Sequence, residues 1–276
     1  KKNLILIHSW KKIEMKPNLA KLPGKGKSLE TIKFLDFDTS LFDRVLLGLS
    51  GGTDSAMILY LLCIFKPDWK IICHTGIDEP KDPWVGEYAA DIVDFIKNKF
   101  PHVDIIHEVY KFDSLDPMTL YYATKEWNEQ PDKSILPTAQ GYSKAFAARP
   151  LKREIRKKHD IKLSIHGITA NPPIEVQKEL GFDHVAEPRR NKVYEVQQWK
   201  KSGKMHYRPF VNVNKKFVAN LYKELDLMDD LFPLTMSCIG FAHETKNFTQ
   251  PCKQCYWCHE KKWAFGCYDG GKASIY

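Results

Sequence analysis

Short apolar runs alternate with longer amphipathic stretches from Arg44 onward, and this alternation restricts the fold more than any other feature of the chain. The runs predict strands, and the stretches between them predict helices. Strands separated by helices in this way form parallel sheets, because each crossover returns the chain to the same edge. We therefore predict a doubly wound, mainly parallel α/β sheet with helices on both faces. The predicted strands span residues 44–49, 70–75, 103–109 and 162–166, and the predicted helices span 54–65, 84–100, 143–158 and 214–225.

The composition excludes several classes of protein. With 43% hydrophobic residues and charges scattered along the chain, the sequence is not that of a mainly disordered protein. It has no apolar run of the roughly 20 residues that a membrane span needs, and the run after Lys2 is too short for a secretory signal. We expect a cytoplasmic protein without membrane contact. The net charge of +8 suits either nucleic acid or a small anionic substrate.

A glycine-rich turn joins the first predicted strand to the first predicted helix, where residues 50–55 read Ser-Gly-Gly-Thr-Asp-Ser. Glycines allow a tight turn and a close approach of the backbone to a ligand, and the free N–H groups at a helix start favour an anion. At this turn neither the Gly-Lys-Ser/Thr ending of a Walker loop nor a Gly-x-Gly-x-x-Gly motif is present. The segment therefore predicts a phosphate site of another kind. The alternative is a turn that needs glycine only for its geometry.

Four of the seven cysteines are spaced as metal ligands. Two overlapping Cys-x2-Cys steps place three thiolates around one ion, and a cysteine thirteen intervening residues earlier supplies the fourth. We predict a closed zinc site with a structural role, because four protein ligands leave no position for a substrate; an iron–sulfur cluster is the alternative. The predicted ligands are Cys238, Cys252, Cys255 and Cys258. The thiols predicted to be free are Cys63, Cys73 and Cys267.

The turn resembles the Ser-Gly-Gly-x-Asp-Ser signature of the PP-loop ATP pyrophosphatases, whose fold is that of the adenine nucleotide alpha hydrolases. With the cysteine spacing added, the chain is similar to the 7-cyano-7-deazaguanine synthase family over about residues 44–268. The similarity continues through Arg208-Pro209-Phe210, Asn214-Lys215 and the run 234–238 that leads into the first predicted zinc ligand. Basic residues also follow the last ligand, at Lys261 and Lys262.

The resemblance implies an ATP-dependent carbon–nitrogen ligase of the kind used in queuosine biosynthesis. In that reaction ATP is cleaved between its α- and β-phosphates and adenylates the carboxylate of 7-carboxy-7-deazaguanine. Ammonia then gives an amide, a second activation gives the nitrile, and AMP and pyrophosphate are released. The implied cofactors are ATP, Mg²⁺ and Zn²⁺. We expect ATP, a small carboxylate and ammonia as partners, leave a homodimer open and do not favour nucleic acid.

The resemblance also assigns residues. Lys215 is the implied catalytic residue that stabilises developing negative charge, and Asp54 orients the loop or a magnesium ion. Arg149, Arg189 and Arg190 are candidates for binding the substrate carboxylate. The alternative for each basic residue is a solvated position on the surface. The implied nucleotide-binding residues are Leu49, Ser50, Gly51, Gly52, Thr53, Asp54 and Ser55 in the turn, Thr75 and Gly76 after the second strand, and Gly167 after the fourth.

Two segments depart from the family where the substrate is chosen. Residues 140–143 read Gln-Gly-Tyr-Ser in place of an Arg-Asn pair, and residues 168–173 read Ile-Thr-Ala-Asn-Pro-Pro in place of an acidic loop. A divergent member of this kind stops at the amide, uses another carboxylate or joins the activated acid to another amine. The alternatives outside the family are a tRNA thiolation enzyme, a sulfonucleotide reductase, and a catalytically silent module that binds a nucleotide or nucleic acid.

The chain divides into three parts on this interpretation. We predict an N-terminal extension over residues 1–40, a PP-loop nucleotide-binding α/β domain over 41–213, and a C-terminal helical zinc-binding region over 214–276. The length of 276 residues fits one α/β domain with additions better than two full domains.

Overall fold

The structure is a computed structural model that describes residues 34–35, 37–131, 139–181, 198–201, 203–240, 243–247 and 249–269. Most of the predicted N-terminal extension lies outside these ranges, as do Arg189 and Arg190. The division of the chain into three parts stays a prediction.

One sheet of six strands forms the centre of the described residues. The strands are β1 (Arg44–Gly48), β2 (Lys70–Asp78), β3 (Ile105–Phe112), β4 (Leu163–Ile165), β5 (Gln198–Lys201) and β6 (Lys204–Tyr207). Their order is β3-β2-β1-β4-β6-β5, with every pair parallel except β5 and β6. The chain moves from β1 outward to β3 and then returns to β4 on the other side of β1. This reversal creates a topological switch point between β1 and β4.

Helices cover both faces of the sheet. They are α1 (Thr53–Phe65), α2 (Val85–Lys99), α3 (Pro117–Asn128), α4 (Ala139–Lys158), α5 (Ile174–Glu179), α6 (Lys215–Glu224) and α7 (Tyr256–Phe265). Val45 and Leu47 of β1 belong to the large hydrophobic cluster that includes α1 and α2, while Leu46 packs with Ile72 and Ile155 of α4 on the opposite face. Alternate residues of a strand point to opposite faces, so the predicted doubly wound sheet is confirmed.

The C-terminal helices are built onto this core. Asn214 caps α6, since its side chain accepts a hydrogen bond of 3.0 Å from the Lys216 backbone N–H. Buried residues of α6 and α7 join the hydrophobic cluster of α1, among them Phe217 and Phe265. Helix α1 therefore lies between the sheet and the C-terminal helices, which explains why almost its whole circumference is buried.

The structure extends several predicted elements and adds others. Strand β2 was expected to end at Thr75 but continues to Asp78, because its pairing with β3 continues to the end and the Asp78 carboxylate accepts hydrogen bonds from the N–H and hydroxyl of Ser114, at 3.0 and 2.7 Å. Helices α3, α5 and α7 and strands β5 and β6 were not predicted.

In the described part of the chain, no helix combines the length and the apolar character that crossing a membrane requires.

Candidate active site and metal centre

The glycine-rich turn lies at the carboxyl edge of the sheet, directly after β1 and beside the switch point. Gly51 has a φ of +72°, in the left-handed region that favours glycine, and the backbone turns there before α1 begins at Thr53. The first turn of α1 therefore presents its free N–H groups at the edge where open α/β sheets bind ligands.

Hydrogen bonds from three parts of the chain hold this turn in place. The Ser55 hydroxyl donates to the Gly52 carbonyl at 3.1 Å and accepts from the Ser50 N–H at 3.3 Å. From α6, the Tyr222 hydroxyl donates to the Thr53 carbonyl at 3.0 Å. From the segment before the cysteines, the Met236 N–H donates to the Gly51 carbonyl at 2.8 Å. The turn is thus fixed before any ligand arrives.

Gly167 follows β4, on the other side of the switch point, and packs so closely against the turn that no side chain would fit there. A Cβ atom at this position would lie 2.8 Å from the Ser55 backbone nitrogen and 3.1 Å from the Asp54 carbonyl carbon. These are backbone atoms at the start of a buried helix, so they cannot move away without displacing the turn.

We predict that Gly167→Ala displaces the turn and weakens ATP binding by at least about tenfold. The measurement is calorimetric titration with a non-hydrolysable ATP analogue. Gly86→Ala is the matched control, because the added methyl group there meets the flexible end of the Ile77 side chain. Wild-type affinity in Gly167→Ala would contradict the assigned position of the nucleotide.

Lys215 is buried and reaches the turn, rather than lying on the surface. Its Nζ donates to Asp54 Oδ2 at 2.6 Å and lies 3.9 Å from a Glu260 carboxylate oxygen. Asp54 Oδ1 and the Thr53 hydroxyl are buried and have no hydrogen-bond partner among the described atoms. The turn therefore keeps two unused oxygens, which buried polar groups rarely do without a function.

A cavity of about 730 Å³ opens over the turn. Its volume lies in the usual range for small-molecule sites. Six of the predicted site residues line it: Ser50, Gly52, Thr53, Asp54, Gly167 and Lys215. The other walls combine apolar and charged groups, namely Trp84, Val85, Leu115, Ile168, Met236, Ile239 and Trp257, with Lys81, Asp82 and Lys144.

Other predicted residues are not among those that line the cavity. Leu49 and Thr75 are buried, and the Thr75 hydroxyl donates to the Leu49 carbonyl at 2.8 Å. The side of Gly76 is filled by the Tyr110 ring, which leaves no space for a ligand there. Arg149 lies away from the cavity, paired with Glu126 at 2.8 Å on the surface between α3 and α4.

A buried lysine supports the turn and has no counterpart in the site residues predicted from sequence. Lys261 of α7 is 1% exposed and pairs with Asp269. Its Nζ also donates to the Thr235 hydroxyl at 3.2 Å, and Asp269 accepts from the Ser237 N–H at 2.9 Å. Burial lowers the pKa of Lys261, and Asp269 opposes that effect. The pair fixes the segment that hydrogen-bonds to Gly51. Family resemblance drew attention to Lys261, but no sequence signal indicates Asp269.

The four predicted metal ligands come together next to this segment. The sulfur atoms of Cys238, Cys252, Cys255 and Cys258 all lie within 4.8 Å of one another. The remaining cysteines stay outside the cluster: Cys63 and Cys73 are buried in the core, and Cys267 is half-buried. Burial raises the pKa of the Cys63 thiol to about 12, so this thiol is unreactive.

Backbone N–H groups surround the sulfur atoms. The N–H groups of Gly240 and Cys252 donate to Cys238 Sγ at 3.3 and 3.1 Å, and the Cys255 N–H donates to Cys252 Sγ at 3.3 Å. Such donors stabilise negative charge on sulfur, as a metal-binding thiolate requires. The arrangement is therefore suited to a cation bound by four thiolates.

Two histidines near the site are neutral in the folded protein. Burial, with smaller contributions from Lys152, Arg156 and His107, lowers the pKa of His74 to about 3. Burial also lowers the pKa of His166 well below its ordinary value. The unfolded chain takes up these protons near pH 6.5. Because the unfolded state binds more protons, acid shifts the equilibrium toward it.

We predict that the free energy of unfolding falls as the pH drops from about 6.5 toward 3, by up to about 1.4 kcal/mol per pH unit for each buried histidine. Urea unfolding at several pH values measures the slope. His74→Gln is expected to flatten it, whereas the exposed His102→Gln keeps the wild-type slope. Equal slopes in all three proteins would show that His74 is not kept neutral.

Known families and structures give limited information about this chain. No family model and no curated protein matches the sequence. The structure is similar to NMN synthetase from Francisella tularensis, with 15% identity and a TM-score of 0.41 over 84% of this chain and 80% of that one. It is also similar to the U34-tRNA thiolase NcsA from Methanococcus maripaludis, which carries a 4Fe-4S cluster, with 14% identity and a TM-score of 0.39 over 67% of this chain and 56% of that one.

A further similar structure is the glutamine-dependent NAD+ synthetase from Acinetobacter baumannii in complex with ADP, with 14% identity and a TM-score of 0.37. The match covers 68% of this chain and 30% of that one. At these identities and TM-scores we transfer no reaction, substrate or metal from the three proteins.

Proposed function

We propose that this protein is an ATP-dependent ligase that adenylates a carboxylate and transfers the activated acyl group to ammonia, with 7-carboxy-7-deazaguanine as the first substrate to test. The observation that carries the proposal is the Ser-Gly-Gly-Thr-Asp-Ser turn at the switch point, fixed from three sides and facing a cavity. The signature resembles the PP-loop, which marks cleavage of ATP between the α- and β-phosphates.

In this proposal the turn binds the phosphates of ATP. Ser50, Gly52 and Thr53 line the cavity, and the N–H groups at the start of α1 and the hydroxyls of Ser50 and Thr53 are the proposed phosphate donors. The partial positive charge of the helix start adds to their attraction for an anion. A bound triphosphate supplies the acceptor that the unpartnered Thr53 hydroxyl lacks.

Asp54 and Lys215 act as a pair. The lysine neutralises the carboxylate, which on its own would repel the phosphates. One carboxylate oxygen is engaged by Lys215, and the second is unpartnered and suits a Mg²⁺ ion, whose preferred ligands are oxygens. When bound, Mg²⁺ would neutralise part of the negative charge of the phosphates. Lys215 Nζ lies at the cavity wall, where it stabilises the negative charge that develops as pyrophosphate leaves.

The apolar walls of the cavity protect an acyl adenylate from hydrolysis. Trp84, Ile168 and Trp257 line it from three different segments. Excluding water strengthens the electrostatic contacts inside the site and prevents loss of the activated acid before ammonia attacks. Ammonia attacks the acyl carbon, the bond to AMP breaks, and the nitrogen loses a proton to give the amide.

We assign zinc to the four cysteines. A zinc ion with four thiolates at about 2.3 Å places the sulfur atoms about 3.8 Å apart. The Cys252 and Cys258 sulfurs are 3.9 Å apart, and all four lie within 4.8 Å. A four-iron cluster is a larger body and needs its thiolates farther apart. The proposed zinc is structural, and its binding holds the chain next to Ser237 in place.

The cysteine positions also argue against sulfur transfer. Sulfur transfer through a cysteine thiol needs a reactive cysteine at the nucleotide. Four of the seven cysteines belong to the cluster, two are buried in the core, and none lines the cavity. An adenylating ligase has no such requirement.

The test is the release of AMP and pyrophosphate from ATP with Mg²⁺, ammonia and 7-carboxy-7-deazaguanine, compared with a panel of other small carboxylic acids. The proposal expects AMP and pyrophosphate in equal amounts, dependent on the acid. Turnover with another acid retains the ligase and changes the substrate. No ATP turnover with any acid overturns the proposal and favours a silent nucleotide-binding module.

A further inference from the structure

A group of basic side chains lies on the α4 face of the sheet. One of them, His166, immediately precedes Gly167 of the candidate active site. We call this group the cationic cluster and define it by Lys152, Arg156, His74, His166 and His206. Lys152 and Arg156 are one turn apart on α4 and flank Ile155, which packs on Leu46 and Ile72. His74 follows Ile72 by two residues on the same face of β2. His206 pairs in register with Ser164, two residues before His166.

Two of the histidines contact each other directly, and the third lies at the end of β1. The rings of His166 and His206 stack with centroids 5.7 Å apart, and His166 Nε2 lies 3.4 Å from His206 Nδ1. His74 stacks on Tyr110 and lies against Gly48 at the end of β1. All members of the cluster except His74 are partly exposed, so the surface is accessible to a small molecule.

The charges around the cluster have the same sign. Burial lowers the pKa of Lys152, and the neighbours that add to this effect are Arg156 and Lys144. The neighbours that lower the pKa of His166 are likewise basic. The Arg156 Nε–H is buried and has no hydrogen-bond partner among the described atoms. Half-buried cations without an acidic partner raise the energy of a folded protein unless an anion joins them.

Three other basic residues of α4 have acidic partners. Lys144 pairs with Asp82, Arg149 with Glu126, and Lys158 with Glu108. In the described part of the chain no carboxylate pairs with Lys152 or Arg156, although both are more buried than Lys158. Among the described residues, Lys152 and Arg156 therefore have no acidic partner where α4 packs on Leu46 of β1 and Ile72 of β2.

We infer that the cationic cluster binds an oxyanion, a phosphate or a carboxylate, carried by the acceptor substrate. His166 precedes Gly167, which contacts the backbone of the PP-loop turn, so the cluster and the turn meet at the switch point. This inference rests on the proposed function for the identity of the ligand. In this inference the acceptor substrate is the acid that is adenylated, and it carries two anionic groups. The cationic cluster binds one of them, while the other, the reacting carboxylate, lies over the turn.

Guanidinium, ammonium and imidazole groups suit this chemistry. Arginine binds a tetrahedral phosphate or a planar carboxylate through two N–H groups, and lysine adds a point charge. A bound dianion also favours protonation of the paired histidines, which supplies further donors. Removing two cationic partners weakens such binding by at least about tenfold.

The test uses the variant Lys152→Met/Arg156→Met, which removes both charges and keeps unbranched side chains. The matched control is Arg153→Met/Lys157→Met, which removes two exposed charges from the same helix. Each protein is first saturated with a non-hydrolysable ATP analogue, so that the turn is occupied, and is then titrated with inorganic phosphate by calorimetry. A second series replaces phosphate by acetate, which separates phosphate from carboxylate recognition.

We expect wild type and control to bind one of the two anions in the presence of the analogue, and the cluster variant to lose at least about tenfold in affinity. Without any anion, the cluster variant is expected to unfold a few degrees higher than wild type, because the repulsion between unpartnered charges is gone. A purely structural role predicts a lower midpoint instead.

Two results overturn the inference. One is equal anion affinity in the cluster variant and the control. The other is loss of anion binding in wild type when the ATP analogue is present, since the cluster would then be part of the nucleotide site. Neither readout depends on turnover. Anion binding without any ATP-dependent reaction therefore refutes the proposed function and leaves the anion site intact.

Discussion

Lys215→Met is expected to lower the rate of acid-dependent AMP release by about 100- to 1,000-fold at saturating ATP, the usual effect of removing one preorganised charge from a transition state. Lys215 contacts Asp54 at 2.6 Å and lines the cavity over the turn. Its charge is placed where pyrophosphate leaves, so the loss is expected mainly in kcat. The KM for ATP is expected to change less.

Two further variants separate catalysis from folding. Removing Lys215 leaves Asp54 buried without its cation, which destabilises a protein by several kcal/mol. The double variant Asp54→Asn/Lys215→Met removes both charges and is expected to recover stability without recovering activity. Lys216→Met is the matched control, since this neighbouring lysine lies over the Trp263 ring and away from the cavity. Near-normal kcat in Lys215→Met would contradict the assigned role.

Loss of the metal centre is expected to have the largest effect on stability. Cys258→Ser is predicted to lower the free energy of unfolding by more than about 4 kcal/mol, because metal loss belongs to the most severe class of single changes. Cys258 lies on α7, the helix that carries Lys261, and it is fully buried. The change is also expected to weaken binding of the ATP analogue, since the chain from Cys238 back to Met236 holds the Gly51 carbonyl.

Metal analysis and unfolding measurements check this prediction together. Wild type is expected to contain one zinc per chain, and Cys258→Ser little or none. Cys267→Ser is the control, because this half-buried thiol lies outside the cluster, and it is expected to keep both zinc and stability within about 1 kcal/mol. If the purified protein is brown and contains iron, the metal centre is an iron–sulfur cluster and the assignment of zinc is wrong. Unchanged stability in Cys258→Ser would refute the structural role.

The elements that sequence predicts are those with strong local patterns. Helix α2 shows apolar residues at helical spacing, and β1 is a run of branched apolar residues before a glycine turn. The strands β5 and β6 are four residues long and carry polar residues, so no period distinguishes them from a loop. Helix α3 was missed although the sequence carries a signal for its N-terminus, since Asp116 caps the helix and Pro117 occupies its first turn.

The site shows the same limit. The turn and the cysteine spacing are contiguous patterns, and sequence alone identified both. The role of Gly167 in the packing of the turn depends on an approach to Ser55 from a distant strand, which spacing cannot express. The role of Asp269 could not be predicted from the sequence for the same reason, because only the fold brings it together with its partners Lys261 and Ser237. Thr75 and Gly76 are not among the residues that line the cavity, because β2 continues past them to Asp78, and their contact with the nucleotide stays a prediction.

The proposed adenylation is tested most directly by the fate of oxygen. The candidate acid is labelled with 18O in its carboxylate and incubated with ATP, Mg²⁺ and ammonia, and the AMP is analysed by mass spectrometry. Attack of the carboxylate on the α-phosphate predicts AMP that carries one labelled oxygen from the acid, formed in equal amount with pyrophosphate. Unlabelled AMP, or release of ADP and phosphate, would contradict an acyl adenylate and with it the proposed function.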